Sequence, residues 1–410
     1  VRPLMVLRGL EQRSTWPALR ALDRTLQGRD VAPVEEAYVD VVRALLADER
    51  ADLASAFAAA LLEVDNPLGR EADPPPGLLA AARTDLDGIV SALRRNWHHE
   101  AEAHGAGDLP LFEALARPAA PDAWEAAVAA FAEALLREPV EDLLQQLLER
   151  YRDHGAGAPA RYPALRWQGG ALRGIPHPAV AEASALVGVD DQLARLFANT
   201  EALLAGAPAH NALLYGPRGS GKSTAVRSLL PRYAERGLRL VELAGDDLQT
   251  LPQVVQRLRA LPQRFVLYVD DLSFAHDDRR YHPLKTLLEG SLTARPGNVV
   301  LYATSNRRHL LRERLSERPQ PGEDDDVHAW DTHNERLALA DRFGLTLTFP
   351  SASQRRYLEI VEALAAREGV GGDDLRERAV RFADWGNGYS GRTARQFVDA
   401  VVQERATGRI

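Results

Sequence analysis

The chain has 410 residues, enough for two or three domains that each bury a core of their own. Hydrophobic residues at 45% and charged residues at 26% exclude an extensively disordered chain, and the absence of cysteine excludes a disulfide framework or a thiolate metal site. A formal net charge of −8 argues against a surface built throughout to coat nucleic acid.

The opening residues, VRPLMVLRGLEQRS, carry neither the apolar core nor the cleavage site of a signal peptide, and no apolar run approaches the roughly 20 residues of a membrane span, so the expectation is a cytoplasmic protein without membrane contact. From Pro33 to Tyr151 the apolar residues recur at i, i+3, i+4 spacing in five segments, among them PVEEAYVDVVRALLADE, ADLASAFAAALLEV and VEDLLQQLLERY. These predict an all-α N-terminal domain. The Gly/Pro-rich stretch DHGAGAPARYPALRWQGGALRGIPHP then reads as a linker, which puts the first domain at 1–180. Short apolar runs follow, alternating with helical patterns: 211–215, 238–244, 264–270, 298–304 and 345–349. Continuous apolar strands separated by helices imply a parallel sheet covered on both faces, an α/β core over 181–350. Beyond Ser351 three helical segments predict a C-terminal helical lid over 351–410.

The chemistry is concentrated in the α/β core. Gly216, Pro217, Arg218, Gly219, Ser220, Gly221, Lys222 and Ser223 match G-x-x-x-x-G-K-[ST] between a strand and a helix, with Thr224 following. Glycines allow the backbone to wrap a phosphate with its N–H groups, and the helix N-terminus adds a favourable dipole. Lys222 would reach the β- and γ-phosphates, and the Ser223 hydroxyl would ligate Mg²⁺. Of the 50 basic residues only Lys222 and Lys285 are lysine, so a lysine kept here points to a need for a compact ammonium. In RFVLYVDDLSF, Asp270 ends a strand where it would hold Mg²⁺ through water, and Asp271 would polarise the attacking water. An N-cap is the competing reading of that acidic pair. In NVVLYATSNRRHL, Asn306, with Thr304 or Ser305 as alternatives, would orient that water or contact the γ-phosphate.

Taken together, GPRGSGKST, VLYVDDLSF, ATSNRRHL, DRFGLTLTF and SGRTARQFV resemble, in order, the phosphate loop, metal and base strand, sensor 1, arginine finger and sensor 2 of the AAA+ ATPases. The likeness runs from about Leu186 to Val402. It is most specific toward a bacterial family of predicted AAA+ ATPases of unknown function, whose members also look similar around NPLGREA and LLAAARTDL. The resemblance implies a three-layer P-loop NTPase fold, ATP and Mg²⁺ as ligands, ATP hydrolysis, and a homo-oligomeric ring in which a neighbour completes each site. Matched residue by residue, Arg342 falls on the arginine finger and Arg392 on sensor 2, with Arg336 and Arg395 as the neighbours most easily confused with them. Val187 and Gly188 fall on the segment lining the adenine pocket. Two features depart from the pattern. Asp271 stands where most members have glutamate, shortening the reach by roughly 1.5 Å and implying slower turnover. The loop LAGDDLQTLPQ carries no aromatic of the kind that grips a threaded polypeptide.

These features predict an ATP-hydrolysing remodeller or loader acting on a protein or nucleoprotein client, with a nucleotide-dependent switch or scaffold of little or no turnover as the alternative and a small-molecule phosphotransferase as a weaker rival. Nucleic acid is disfavoured as a partner because the basic segment SNRRHLLRERLSER is interleaved with glutamates. NWHHEAEAHG fails the H-E-x-x-H metal pattern, since Ala103 occupies the position four residues after His99. GEDDDVHAWDTH reads as a solvated acidic loop, and Lys285 as a structural i, i+4 partner of Glu289.

Overall fold

The computed structural model describes residues 3–50, 52–71, 73–107, 109, 123–274, 281–289, 296–306, 339–386 and 388–407. It divides into two compact units, Val1–Tyr162 with Ala260–Pro262, and Pro163–Arg259 with Gln263–Ile410.

Among its described residues the first unit has helices and no strand, the α-helices being α1 (Thr15–Leu26), α2 (Val34–Ala47), α3 (Leu53–Glu63), α4 (Pro76–Leu93), α5 (Trp97–Ala103), α6 (Ala123–Arg137), α7 (Val140–His154) and the single turn α8 (Ala158–Arg161). Helix α3 is apolar on all sides, and Leu53, Ala54 and every residue from Ala56 to Leu62 are buried, which makes it the centre of this core. Asp52 caps it by accepting the Ser55 N–H at 2.7 Å. The buried Asp85 carboxylate of α4 accepts the N–H groups of Met5, Val6 and Leu7 at 2.9, 2.7 and 2.9 Å, tying the chain's start into the core. Helix α1 precedes the region where the helical pattern was expected to begin. Its proline, Pro17, sits in the first turn where no N–H is needed, and Trp16, Leu19, Leu22 and Leu26 form its buried stripe.

In the second unit β1 (Ala164–Gln168), β2 (Ala171–Gly174), β3 (Ala212–Tyr215), β4 (Leu238–Glu242), β5 (Arg264–Val269), β6 (Val299–Ser305) and β7 (Leu345–Thr348) form one sheet in the order β2-β1-β4-β5-β6-β3-β7. Every neighbouring pair is parallel except β1 with β2. The five strands expected between 211 and 349 are all present. The linker expected up to residue 180 is not: its middle is the β1–β2 hairpin, and the two units divide between Tyr162 and Pro163. Strands of five and four residues are too short to show a period amid turn residues, yet Gly169 and Gly170, with φ of +59° and +77°, make the tight two-residue connection that joins them.

Leu214, Leu240, Val266, Val300 and Tyr302 pack on one face of the sheet against α9 (Asp190–Leu204), α10 (Lys222–Arg227) and α11 (Leu229–Tyr233). The alternate residues Leu213, Val241, Leu267 and Leu301 are buried on the other face, with α12 (Leu251–Arg259) against β6. The remaining helix of the core among the described residues is α13 (Tyr281–Glu289). The result is a three-layer α/β arrangement, with helices on both faces of a mainly parallel sheet. The lid is α14 (Gln354–Arg367), α15 (Leu375–Trp385) and α16 (Gly391–Ala406), packed around Tyr357, Val361, Ala379, Phe397 and Val398. Among the described residues no helix is long and apolar enough to cross a membrane.

Candidate functional site

The sheet order decides what can meet at its carboxyl edge. Strand β6 lies between β3 and β5, with Tyr215 opposite Ser305 and Val269 opposite Ala303. The residues that leave β6 are thereby set between the glycine-rich loop that follows β3 and the two aspartates that follow β5.

The loop has the conformation its glycines permit. Gly219 and Gly221 have φ of +74° and +97°. A Cβ on Gly216 would lie 2.1 Å from the Phe349 carbonyl oxygen, and one on Gly221 would lie 2.5 Å from Leu186 Cδ2. Lys222 opens α10 and is only 7% exposed, so its ammonium has left bulk water. Its Nζ donates to the carbonyls of Gly216 and Pro217, both at 2.8 Å, and to Asn306 Oδ1 at 3.1 Å. Burial pushes its pKa below the ordinary lysine value, against the opposing pull of Asp270 and Asp271.

Asn306 turns its other end to Asp271, Nδ2 donating to Oδ1 at 2.6 Å, so ammonium, amide and carboxylate form one chain. Asp271 occupies the left-handed region at φ +51°, a conformation aspartate tolerates better than most residues, and its N–H donates to Thr304 Oγ1 at 2.9 Å. The Thr304 hydroxyl in turn donates to Asp270 Oδ1 at 2.5 Å, and Ser223 Oγ donates to the same oxygen at 2.8 Å. Burial alone would raise the Asp270 pKa, but these hydrogen bonds outweigh it and hold the carboxyl below its usual range. Ser305 is fully buried and its carbonyl accepts the Gly216 N–H at 3.2 Å. Of the three candidates on β6, Asn306 is therefore the one that reaches both Lys222 and Asp271.

These groups line a cavity of about 670 Å³, together with Leu186, Val187 and Val189 and the lid residues Arg356, Ile360 and Leu364. Core and lid are stitched across the loop, where the Gly391 N–H donates to the Gly219 carbonyl at 3.0 Å. Arg392, the second residue of α16, lines the cavity. Arg395 also lines it but pairs with Glu368 at 3.0 Å and Asp399 at 2.9 Å. Gly188 does not line the cavity itself. It backs the Arg356 guanidinium, which a Cβ on Gly188 would meet at 2.6 to 2.8 Å. Arg342 ends a 3-10 turn leading into the edge strand β7 and is not among the residues lining the cavity. Arg336, the acidic stretch 322–333 and all but Ser305 and Asn306 of the basic segment lie outside the described residues, as does the Glu289 side chain.

The residues fit a polyphosphate with a divalent cation. The loop has no room for a side chain at Gly216, Gly219 or Gly221, and within it the buried Ser220 Oγ has no hydrogen-bond partner. Ser223 and Asp270 already share one point, and among the described residues no cluster of three or more His, Asp or Glu exists that would hold a metal by itself. A Mg²⁺ here would complete its shell with phosphate oxygens and water, as that ion usually does. The histidines of NWHHEAEAHG instead serve the helical unit: His98 Nε2 bonds the Leu109 carbonyl at 2.9 Å, and His104 Nδ1 the Glu100 carbonyl at 2.8 Å. Sequence reasoning missed Arg356, Ile360 and Leu364. Their only signal is an i, i+4, i+8 stripe on α14, which any packed helix shows.

Comparison with known proteins gives a family. Residues 160–405 match a family model described as "Protein of unknown function (DUF815)". No curated protein matches the chain. Among solved structures, the chain is similar to the Thermotoga maritima RuvB Holliday junction branch migration motor, at 17% identity over 54% of this chain and 63% of that one, with a TM-score of 0.37. It is also similar to the Aeropyrum pernix ORC1 protein in complex with DNA, at 17% identity over 56% of this chain and 62% of that one, with a TM-score of 0.39. The chain thus spans less than two thirds of the length of either.

Proposed function

Since the chain belongs to the family described as "Protein of unknown function (DUF815)", a description that leaves its chemistry open, we propose from the site itself that it binds and hydrolyses ATP with Mg²⁺. The observation that carries this reading is the chain Lys222–Asn306–Asp271 at 3.1 and 2.6 Å, beside the Ser223–Asp270 contact at 2.8 Å.

Lys222 exchanges its two carbonyl partners for β- and γ-phosphate oxygens, a stronger, charge-assisted pairing for the same ammonium. The N–H groups of 218–224 wrap the phosphates. Mg²⁺, when bound, neutralises charge between the β- and γ-oxygens, and Ser223 and Asp270 are the residues that would hold it. Once Lys222 turns to phosphate, Asn306 keeps its bond to Asp271 and orients that carboxylate, which accepts the proton of the attacking water. Arg392 meets the γ-phosphate from the lid. Arg342, not among the residues lining the cavity of its own chain, acts on this reading in a neighbouring copy, so the working form is a homo-oligomeric ring. We assign the helical unit at the N-terminus to binding a protein client, and the activity to remodelling or loading it. Nucleic acid remains a disfavoured client at a net charge of −8.

A nucleotide-dependent switch of little turnover is the second reading. It is favoured by Asp271, whose shorter carboxylate is already engaged by Asn306. Phosphate release from Mg-ATP by the full chain separates the two. The hydrolase reading expects turnover that Asp271→Asn abolishes while ATP still binds, and that falls on dilution as copies separate. Turnover equal in wild type and Asp271→Asn would sink it. Phosphate released without any added acceptor also disposes of the phosphotransferase.

A further inference from the structure

Resting on the reading above of a polyphosphate held with Mg²⁺, we propose that Tyr268 is a positioning residue for the divalent cation: its buried hydroxyl donates to the Asp270 carboxylate when that carboxylate helps to hold the metal.

Three observations carry it. First, Tyr268 lies on β5 two residues before Asp270 and is paired in register with Tyr302 of β6, and both tyrosines pack into the same face of the sheet. Their hydroxyls are treated differently. That of Tyr302 meets Asn199 Nδ2 and Thr200 Oγ1, both at 2.9 Å, whereas that of Tyr268 is buried without a hydrogen-bond partner. Phenylalanine would fill the apolar strand RFVLYV as well, and a buried hydroxyl that bonds nothing destabilises the fold, so its presence needs another reason. Second, its neighbours are the two residues assigned to the metal. Ser223 and Asp270 are close enough to act on the phenol proton, yet neither meets the hydroxyl in hydrogen-bond geometry. Both line the cavity and Tyr268, 3% exposed, does not, so the phenol approaches them from within the core and is no ligand itself. Third, the carboxylate has acceptor capacity left. Asp270 Oδ1 takes the hydroxyls of Thr304 at 2.5 Å and Ser223 at 2.8 Å, whereas among the described residues Oδ2 has the Arg227 guanidinium alone, 4.0 Å away, 42% exposed and therefore screened. A carboxylate oxygen without a close donor, beside a buried phenol without an acceptor, fits one further charge-assisted bond. Ser223, once it turns a lone pair to the metal, holds Oδ1 less firmly, and the phenol is the donor placed to keep the carboxylate aligned.

Tyr268→Phe deletes the hydroxyl and keeps the ring in the core. Affinity of the full chain for inorganic tripolyphosphate is measured with excess Mg²⁺ and again with EDTA, and the ratio of the two reads the contribution of the metal. Wild type is expected to bind roughly 10²-fold more tightly with Mg²⁺. Tyr268→Phe is expected to lower that ratio about tenfold and to leave the affinity in EDTA unchanged. Its urea midpoint without metal is expected to equal or exceed that of wild type, since an unpaired buried hydroxyl has been removed. The midpoint also shows that the variant folds, and a hydroxyl with a merely structural role would lower it while leaving the ratio alone. An unchanged ratio, an equal loss with and without Mg²⁺, or a lower midpoint overturns the inference alone. A wild-type protein that binds tripolyphosphate under neither condition, or equally under both, overturns the reading it rests on as well.

Discussion

Along the glycine-rich loop, consecutive residues 218–224 give the cavity mainly backbone amides and one ammonium, whereas another part of its lining is assembled from the side chains of Leu186, Val187 and Val189 and of α14, segments far apart in the sequence. The first is conformational: it needs glycines at φ values that other residues avoid, and a strand and helix to hold its ends. The second is compositional: it needs apolar bulk and one guanidinium, with little demand on backbone shape. The difference teaches which part of a site can drift. A backbone cradle fails on a single Cβ, while a side-chain slot can be refilled, so ligand identity is free to vary in one part while phosphate binding is fixed in the other.

The largest expected effect tests the fixed part. On the proposed reading Lys222→Ala removes the ammonium that would meet two phosphate groups and is expected to weaken ATP and tripolyphosphate alike, by roughly 10³-fold. Titration calorimetry with both ligands checks this; equal affinity in variant and parent would remove the glycine-rich loop from the comparison altogether. Next comes Asp271→Asn, expected to lower turnover by roughly 10²- to 10³-fold with ATP affinity held within a few-fold, because the carboxylate meets water and not phosphate. A fall in affinity matching the fall in turnover would show that Asp271 belongs to binding.

Those two residues also mark what was legible in the sequence. The loop and the strand ending in Asp270 and Asp271 are local patterns, one motif and one apolar run, so their chemistry could be read without knowing how the chain folds. Asn306 was legible too, because a polar residue leaving an apolar strand stands out. Which of Thr304, Ser305 and Asn306 would face Lys222 was not: that depends on the register of β6 against β3, a relation between segments. The hairpin at 164–174 was hidden for another reason, as strands of five and four residues among glycines and prolines leave no period to detect. Arg356 was hidden most fully. In a chain whose positive charge is almost all arginine, one more guanidinium on a helix carries no signal until its neighbour Gly188 is known.

The comparison makes a sharper demand on stability. Gly216→Ala drives a Cβ to 2.1 Å from the Phe349 carbonyl oxygen, a backbone atom that cannot swing aside, and is expected to cost about 2 to 4 kcal/mol, read as a lower unfolding midpoint. Leu364→Ala instead removes an apolar side chain that the lid contributes to the cavity lining. It is expected to weaken ATP about fivefold while leaving tripolyphosphate unchanged. If tripolyphosphate weakens as well, the two parts are coupled through the lid and the division drawn above fails.

The smallest effect is a pH dependence in which stability and affinity move in opposite directions. Burial holds the Lys222 pKa below 10.5, so between that lowered value and 10.5 the folded, ligand-free protein binds fewer protons than the unfolded chain at this residue. Stability contributed by this site therefore rises with pH across the window, as the buried charge is lost. Phosphate binding needs that charge, so affinity for tripolyphosphate falls over the same window. Asp270 acts at the other extreme: with its pKa held below 3.8, its contribution is fully present above that value and is lost as pH falls through the lowered one. Its side chain is 41% exposed, so solvent screening keeps this contribution small. Denaturant midpoints and tripolyphosphate affinities, measured on the alkaline side for wild type and Lys222→Ala, check the opposed slopes. Only the wild type should show them, and parallel slopes in the wild type would mean that the ammonium is not what holds the phosphate.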